Sequence, residues 1–280
     1  MKPPFSYYGG KIGLAPTIAA MLPPHRVYLE PYFGSGAVLL AKPPSTHEIV
    51  NDINAALVTF WRVLRDRPDD LTRVCALTPF ARDEYELAAN LTENGLDDLE
   101  VARRWWIRVN QGFAKTGADR TGWCTTTGRN ASVTGTIFSR LGRIGPVARR
   151  LANVSIENCD AVDMIERFAT SNDTVVYCDP PYLGETRTTA GRRTNGDYLH
   201  EMMDTDSHRQ LAEALHATPA NVVLSGYHSR LYVDLYRGWR RVEHTVTAHS
   251  SNAARRTTRD TRVEVLWANF DGPEQLTLAV

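Results

Sequence analysis

Asp179-Pro180-Pro181-Tyr182 places a carboxylate just before two prolines and an aromatic ring just after them. Each proline fixes φ and removes a backbone donor, so the turn is rigid and rich in carbonyls. Such a set can grip a flat heterocycle carrying an exocyclic amine. The Asp179 carboxylate and the Pro180 carbonyl accept its N–H groups, and the Tyr182 ring stacks on its face. A proline-stiffened loop would explain the prolines but not the flanking pair. A second feature, Glu30-Pro31-Tyr32-Phe33-Gly34-Ser35-Gly36, carries glycines at a spacing that lets a backbone turn tightly and approach a ligand. The third glycine of the dinucleotide fingerprint is missing, which argues against a pyrophosphate site, and taken alone a structural turn explains the feature equally well. Asp52 is placed either to accept from ribose hydroxyls or to cap a helix starting at Ile53. Beside the glycine turn, the nucleoside reading is the favoured one.

These three features need strands that end beside one another. Short apolar runs predict strands over 27–31, 47–51, 153–157, 174–178 and 221–225, with a final pair near 242–247 and 263–270. Helical patterns fall over 37–41, 53–65, 161–168, 206–216 and 230–236. Alternating strands and helices imply a mostly parallel sheet covered on both faces, with ligands at the carboxyl ends of the strands. The last two strands can form a hairpin at the sheet edge. Residues 68–150 break this rhythm: helical stretches over 82–91, 99–109 and 137–152 surround a Gly/Thr/Ser/Asn-rich stretch, 112–135, of a length that is uncommon inside a compact domain. The expected architecture is therefore an α/β core, residues 1–67 and 151–280, carrying an inserted helical lobe, 68–150.

At 280 residues, 42% hydrophobic and 23% charged, the chain can bury a sizeable core, which excludes wholesale disorder. No apolar run reaches the length of a membrane span and residues 1–11 lack a signal-peptide stretch, so the expected location is the cytoplasm. Four scattered cysteines and eight histidines show no metal-ligand spacing, and no metal is expected. The formal net charge of zero hides segregation. Ten acids face three arginines over 66–100, ten basic residues face Asp119 alone over 101–150, and eight arginines face three acids over 229–262. That pattern suits a molecule with one cationic face, although solvated charge would give it equally well.

With Tyr8-Gly9-Gly10-Lys11 ahead of the Phe33–Gly36 turn, the insert next and Asp179–Tyr182 after it, the chain resembles the Dam-type, D12-class DNA adenine-N6 methyltransferases. Ser225-Gly226-Tyr227 and Glu264-Val265-Leu266-Trp267-Ala268-Asn269 extend the resemblance over nearly the whole chain. It implies a Rossmann-like methyltransferase core that uses S-adenosyl-L-methionine. Tyr8, Gly10 and Lys11 would line the cofactor pocket, and Glu30, Phe33, Gly34 and Gly36 would receive its methionine part. Asp52 would hold the ribose and Asp160 the cofactor's adenine, with Asp179 bordering the same pocket. Asp179, Pro180 and Tyr182 would act on a flipped adenine in duplex DNA, since a stacked base is out of reach. The insert becomes the target-recognition lobe, where Arg103, Arg104, Arg108, Lys115, Arg120 and Arg129 stand among Trp105, Trp106, Phe113 and Trp123. Lys115, Arg120 and Arg129 are the better phosphate candidates, and the two neighbouring tryptophans suit the core. Arg187, Arg192 and Arg193 after the catalytic turn, and Arg255 and Arg256 near the hairpin, form two further phosphate sets. The insert lacks the Phe-Asn-x-Pro-x-Gly stretch of members that read GATC. The resemblance also implies a monomer and allows a cognate restriction endonuclease. An RNA or cytosine-N4 amine methyltransferase, or a catalytically silent DNA-binding module, are the alternatives.

Overall fold

The computed structural model describes residues 1–7, 9–90, 95–112, 122–124, 133–181, 204–226, 228–247 and 261–271. Its centre is a seven-stranded sheet in the order β3-β2-β1-β4-β5-β7-β6. The strands are β1 (Val27–Glu30), β2 (His47–Asn51), β3 (Val154–Glu157), β4 (Thr174–Cys178), β5 (Asn221–Gly226), β6 (Arg240–Thr247) and β7 (Thr261–Ala268). The first five pair in parallel. β7 runs antiparallel to β5, and β6 antiparallel to β7 at the edge. The sheet is thus mixed and mostly parallel, and its 3-2-1-4-5 run is that of doubly wound nucleotide-binding sheets.

β4 is buried along its whole length and β5 nearly so, because both lie inside the sheet with helices on each face. Side chains alternate between the two layers. Tyr28, Val50, Val175 and Tyr177 join one core with α1 (Ala15–Met21), α2 (Ala37–Ala41) and α3 (Ala55–Asp66). Leu29, Val176, Cys178 and Val222 join the other with α9 (Ala161–Phe168), α10 (Thr205–Ala217) and α11 (Arg230–Leu235).

Between β2 and β3 the chain forms α4 (Pro68–Leu77), α5 (Arg82–Ala89), α6 (Asp98–Gln111), α7 (Val133–Leu141) and α8 (Ile144–Leu151). Trp105 and Trp106 of α6 are fully enclosed, as expected, and the Trp106 ring stacks 6.3 Å from that of Phe60 on α3. Two helices, α1 and α4, were not expected from the apolar pattern. Yet α4 opens with Pro68 in its first turn and Asp69 and Asp70 behind it, a helix-start signature that does not depend on apolar period. The single helix expected over 137–152 is two. Pro146 has no N–H to give and would crowd a preceding turn, so the chain restarts at Ile144 and seats Pro146 in the first turn of α8. α8 is tied to the sheet by Arg150, whose Nη2 lies 2.8 Å from a Glu48 oxygen that Lys42 also reaches at 2.6 Å. Burial would raise the Glu48 carboxyl, but the Arg150 and Lys42 hydrogen bonds outweigh it and hold the group below its usual range.

Candidate active site

The strand order reverses between β1 and β4, and both turns singled out by their residue types leave the sheet there. After β1 the chain runs through Pro31–Gly36 into α2. Gly34 and Gly36 have φ of 47° and 65°, a left-handed backbone that costs other L-residues about 1–2 kcal/mol. A Cβ on Gly36 would come within 2.6 Å of the Phe33 ring. The turn is laced to its surroundings. The Phe33 amide donates to the Asn51 carbonyl, the Trp61 Nε1–H donates to the Gly34 carbonyl, and Asn51 Nδ2 donates to the Pro31 carbonyl.

Asp52 does not cap α3. Asn54 does, accepting from the Leu57 amide. Asp52 instead accepts from the Gly34 amide at 2.9 Å through Oδ2 and from the Asn54 amide at 3.0 Å through Oδ1, so the carboxylate pins the glycine turn. Asp160, following β3, caps α9 by accepting from the Val162 amide at 2.7 Å.

The N-terminal segment closes the other side. The Gly10 amide donates to the Tyr7 carbonyl, and a Cβ at Gly10 would sit 2.9 Å from that oxygen and 3.2 Å from Ser35 Oγ, so only glycine lets the segment lie on the turn. Lys11 is thereby driven inward and buried. Its Nζ donates to the Gly9 carbonyl and stands 2.9 Å from Asp179 Oδ1 and 3.6 Å from Glu264 Oε2. Burial alone would lower the ammonium; the charges of Asp179 and Glu264 outweigh it and hold Lys11 protonated, far above its ordinary value.

A cavity of about 360 Å³ lies among these residues, within the size range of small-molecule sites. Gly10, Lys11, Glu30, Phe33, Gly34, Asp52, Asp160, Asp179 and Pro180 all border it; Gly36 lies just behind the turn and shapes it. Glu30 is buried and accepts from the Tyr28 hydroxyl at 2.8 Å. Burial pushes its carboxyl up to about 8, against the Tyr28 hydrogen bond and with help from the Asp179 charge. Lining residues outside the motifs include Tyr7, Asn51, Ile53, Asn54, Tyr177 and Ser207. Asn51 had a usable signal, its place directly before Asp52 at the strand end; the others had none.

The cavity suits an organic cation with an apolar part. Its lining is acidic, the one lysine is already held between two carboxylates, and Ile53 offers a half-exposed apolar side chain at the rim. Cys178 is buried and its thiol pushed up by burial, so it brings no nucleophile. Among the described residues no cluster of side chains could hold a metal ion, and no helix is long and apolar enough to cross a membrane.

Part of the expected cationic surface is spent internally. Arg103 pairs with Glu100 at 2.6 Å and Glu84 at 2.9 Å, and Arg104 pairs with Glu100 at 2.9 Å. Arg108 is buried over the Trp105 ring and donates to the Ala88 carbonyl. Arg140 is buried and donates to Asn110 and Ser6. Arg103 thus pairs with an acid of α5 as well as one of its own helix, Arg104 with one of its own helix, and Arg103, Arg104 and Arg108 are not offered to DNA. Tyr8, Tyr182, Lys115, Arg120, Arg129, Arg187, Arg192, Arg193, Arg255 and Arg256 lie outside the described residues.

Comparison with known proteins bears on this geometry. Type II methyltransferase M1.LlaDCHI of Lactococcus lactis subsp. cremoris is 25% identical over 287 aligned positions, covering 96% of both chains. Among solved structures, precorrin 8W decarboxylase of Methanobacterium thermoautotrophicum aligns at a TM-score of 0.42 and 9% identity over 96% of this chain and 100% of its own. A SAM-dependent methyltransferase of Agrobacterium tumefaciens aligns at 0.37 and 11% over 92% of this chain and 59% of its own. The family model for D12 class N6 adenine-specific DNA methyltransferases matches residues 7–252, most of the chain. A pocket at the reversal of a parallel sheet, bordered by the glycine turn and by Asp179 and Pro180, thus sits inside a family match over most of the chain: the chain belongs to the D12 class of N6 adenine-specific DNA methyltransferases, whose methyl donor is S-adenosyl-L-methionine.

Proposed function

We propose that Asp179, Pro180 and Tyr182 hold the N6 amine of an adenine flipped out of duplex DNA, while Gly10, Lys11, Glu30, Phe33, Gly34, Gly36, Asp52 and Asp160, with Tyr8, surround S-adenosyl-L-methionine. The observation that carries this reading is the convergence of Glu30, Asp52, Asp160 and Asp179 on one cavity. Glu30 faces the cofactor's ammonium; the Asp52–Ile53 edge and Asp160 face its nucleoside. When bound, the cofactor supplies a methyl group on a sulfonium whose leaving group is a neutral thioether.

An adenine amine is a weak nucleophile because its lone pair is shared with the ring. Asp179 accepts one N6–H and the Pro180 carbonyl the other, which favours a more tetrahedral nitrogen and aims its lone pair across the cavity. As N6 gains its new bond it sheds one proton, which the Asp179 carboxylate takes. Asp179 is already anchored by Lys11 at 2.9 Å, so it need not reorganise when the base arrives.

The insert, residues 68–150, serves as target-recognition lobe on a core of residues 1–67 and 151–280, and Lys115, Arg120, Arg129, Arg187, Arg192, Arg193, Arg255 and Arg256 contact phosphates. The enzyme works in the cytoplasm as a monomer on duplex DNA. Its likeness to a type II methyltransferase supports a restriction–modification setting with a cognate endonuclease. The test is methylome sequencing of cells expressing the chain beside an Asp179→Ala control. N6-methyladenine at one short motif, absent from the control, is the expected outcome. A mark that persists in the control overturns the role of Asp179. No mark on DNA from a folded protein turns the proposal toward RNA or cytosine, or toward a silent module.

A further inference from the structure

Lys11 stands between two carboxylates, and only one of them belongs to the catalytic turn. Glu264 comes from β7, beyond the far side of the sheet's parallel run, yet its side chain is 14% exposed and its Oε2 lies 3.6 Å from Lys11 Nζ. The cross-strand partner of Glu264 is His244 on β6, whose Nε2 is buried without a hydrogen-bond partner. Burial pulls the His244 imidazole below its ordinary range, which disfavours its cationic form. Among the described residues, the Lys11 ammonium is thus shared by two carboxylates, at 2.9 Å and 3.6 Å.

That sharing matters for the amine. If Lys11 were paired with Asp179 alone, its ammonium would draw electron density from the carboxylate that must accept from N6 and take its proton. A second carboxylate on the other side of Nζ divides that pull.

We infer that Glu264 is a positioning residue for methyl transfer: by sharing Lys11 with Asp179 it keeps the Asp179 carboxylate a strong acceptor for the target amine. The inference rests on Asp179 acting at that amine as proposed above. Glu264 touches neither substrate nor cofactor in this role. It acts through Lys11, fixes the side from which Lys11 approaches Asp179, and couples the C-terminal hairpin to the chemistry. Among the described residues, other titratable groups that feel Asp179 or Lys11 include Glu30 on β1, Tyr177 and Cys178 on β4 and Tyr232 on α11. Tyr232 and Cys178 are pushed up by burial, so neither titrates on the acid side, and the Glu30 titration is common to the wild type and the variants compared.

The test is single-turnover methyl transfer to unmethylated duplex DNA, followed from pH 5 to 9 with saturating donor, in the wild type, Glu264→Gln, Glu264→Asp and Asp179→Asn. Calorimetry measures donor binding alongside. Removing the second negative charge makes Asp179 easier to ionise but a weaker acceptor. The plateau rate of Glu264→Gln is expected to fall by about three- to tenfold. Its acid limb is expected to move to lower pH by about one unit, with donor affinity held within about threefold. Glu264→Asp, which keeps the charge one methylene farther off, should recover part of both effects; should Glu264→Gln not fold, a smaller change of the same sign in Glu264→Asp carries the test. A general loss of packing would lower the rate without a downward shift of the limb. Coincident profiles for Glu264→Gln and the wild type, or a limb moved upward, overturn the inference. If Asp179→Asn is inactive while Glu264→Gln behaves as wild type, only this inference falls; if Asp179→Asn transfers methyl at the wild-type rate, the reading of Asp179 falls with it.

Discussion

Glu30→Gln isolates the coupling between protonation and donor binding. Burial dominates the Glu30 environment and raises its carboxyl to about 8 from 4.5. In the free protein at pH 7 about nine-tenths of the molecules therefore hold it protonated. A raised carboxyl binds its proton more tightly when folded than when unfolded. Its contribution to stability is thus complete below the unfolded value and is lost as pH rises toward 8. Each pH unit in that window costs about 1.4 kcal/mol, or about 3 kcal/mol between pH 4.5 and 7. Binding a cation reverses the preference: the ammonium of S-adenosyl-L-methionine favours the carboxylate, so binding at pH 7 should release close to one proton from this group. Donor affinity should rise by up to about tenfold per pH unit between pH 6 and 7. Titration calorimetry in buffers of different ionisation enthalpy measures the release directly, and urea denaturation at several pH values measures the stability slope. In Glu30→Gln both should vanish, and donor affinity at pH 7 should fall by about 2–3 kcal/mol, the loss of a buried ion pair less the deprotonation cost the wild type already bears. Equal proton release in wild type and variant would refute the reasoning, and so would a wild-type stability slope that survives the substitution.

Two other substitutions probe the turn and the DNA face. Gly36→Ala combines a left-handed backbone with a Cβ 2.6 Å from the Phe33 ring and should cost about 2–4 kcal/mol by thermal melting. Gly238→Ala, with φ of 87° but open space around it, should cost only about 1–2 kcal/mol; equal losses would show that the Phe33 contact does not matter. Replacing Lys115, Arg120 and Arg129 by glutamine should reduce the slope of log affinity against log salt by about two to three, measured by fluorescence anisotropy on duplex DNA. An unchanged slope would move the phosphate contacts elsewhere.

The local elements were legible because their signals are local. Strands β2 and β4 and helices α2 and α9 stand where apolar period places them, and the edge hairpin follows from two apolar runs separated by a polar one. α4 carries little apolar periodicity; Pro68, Asp69 and Asp70 announce it instead through the free N–H groups of a helix start. The break before Pro146 was likewise written in the chain, as a residue unable to donate. Arg103, Arg104 and Arg108 could not be judged from composition. A guanidinium beside aromatics has the same sequence whether it faces a phosphate or a glutamate on a neighbouring helix, and only the packing of α6 against α5 shows which.

The amino-acid sequence by itself determined the class of the fold and the family, and it supplied the identity and order of the residues proposed to meet the donor and the amine. These depend on periodicity, on turn chemistry and on motifs only a few residues long. The tertiary structure decided how those residues are held. Asp52 pins the Gly34 amide, Glu30 is sealed under the turn against Tyr28, and Lys11 bridges Asp179 to a glutamate from the antiparallel strand β7. Such meetings follow from strand order and register, which bring distant segments within a few ångströms, and from burial, which shifts a carboxyl by removing its water. Neither is a property of any short stretch of the chain.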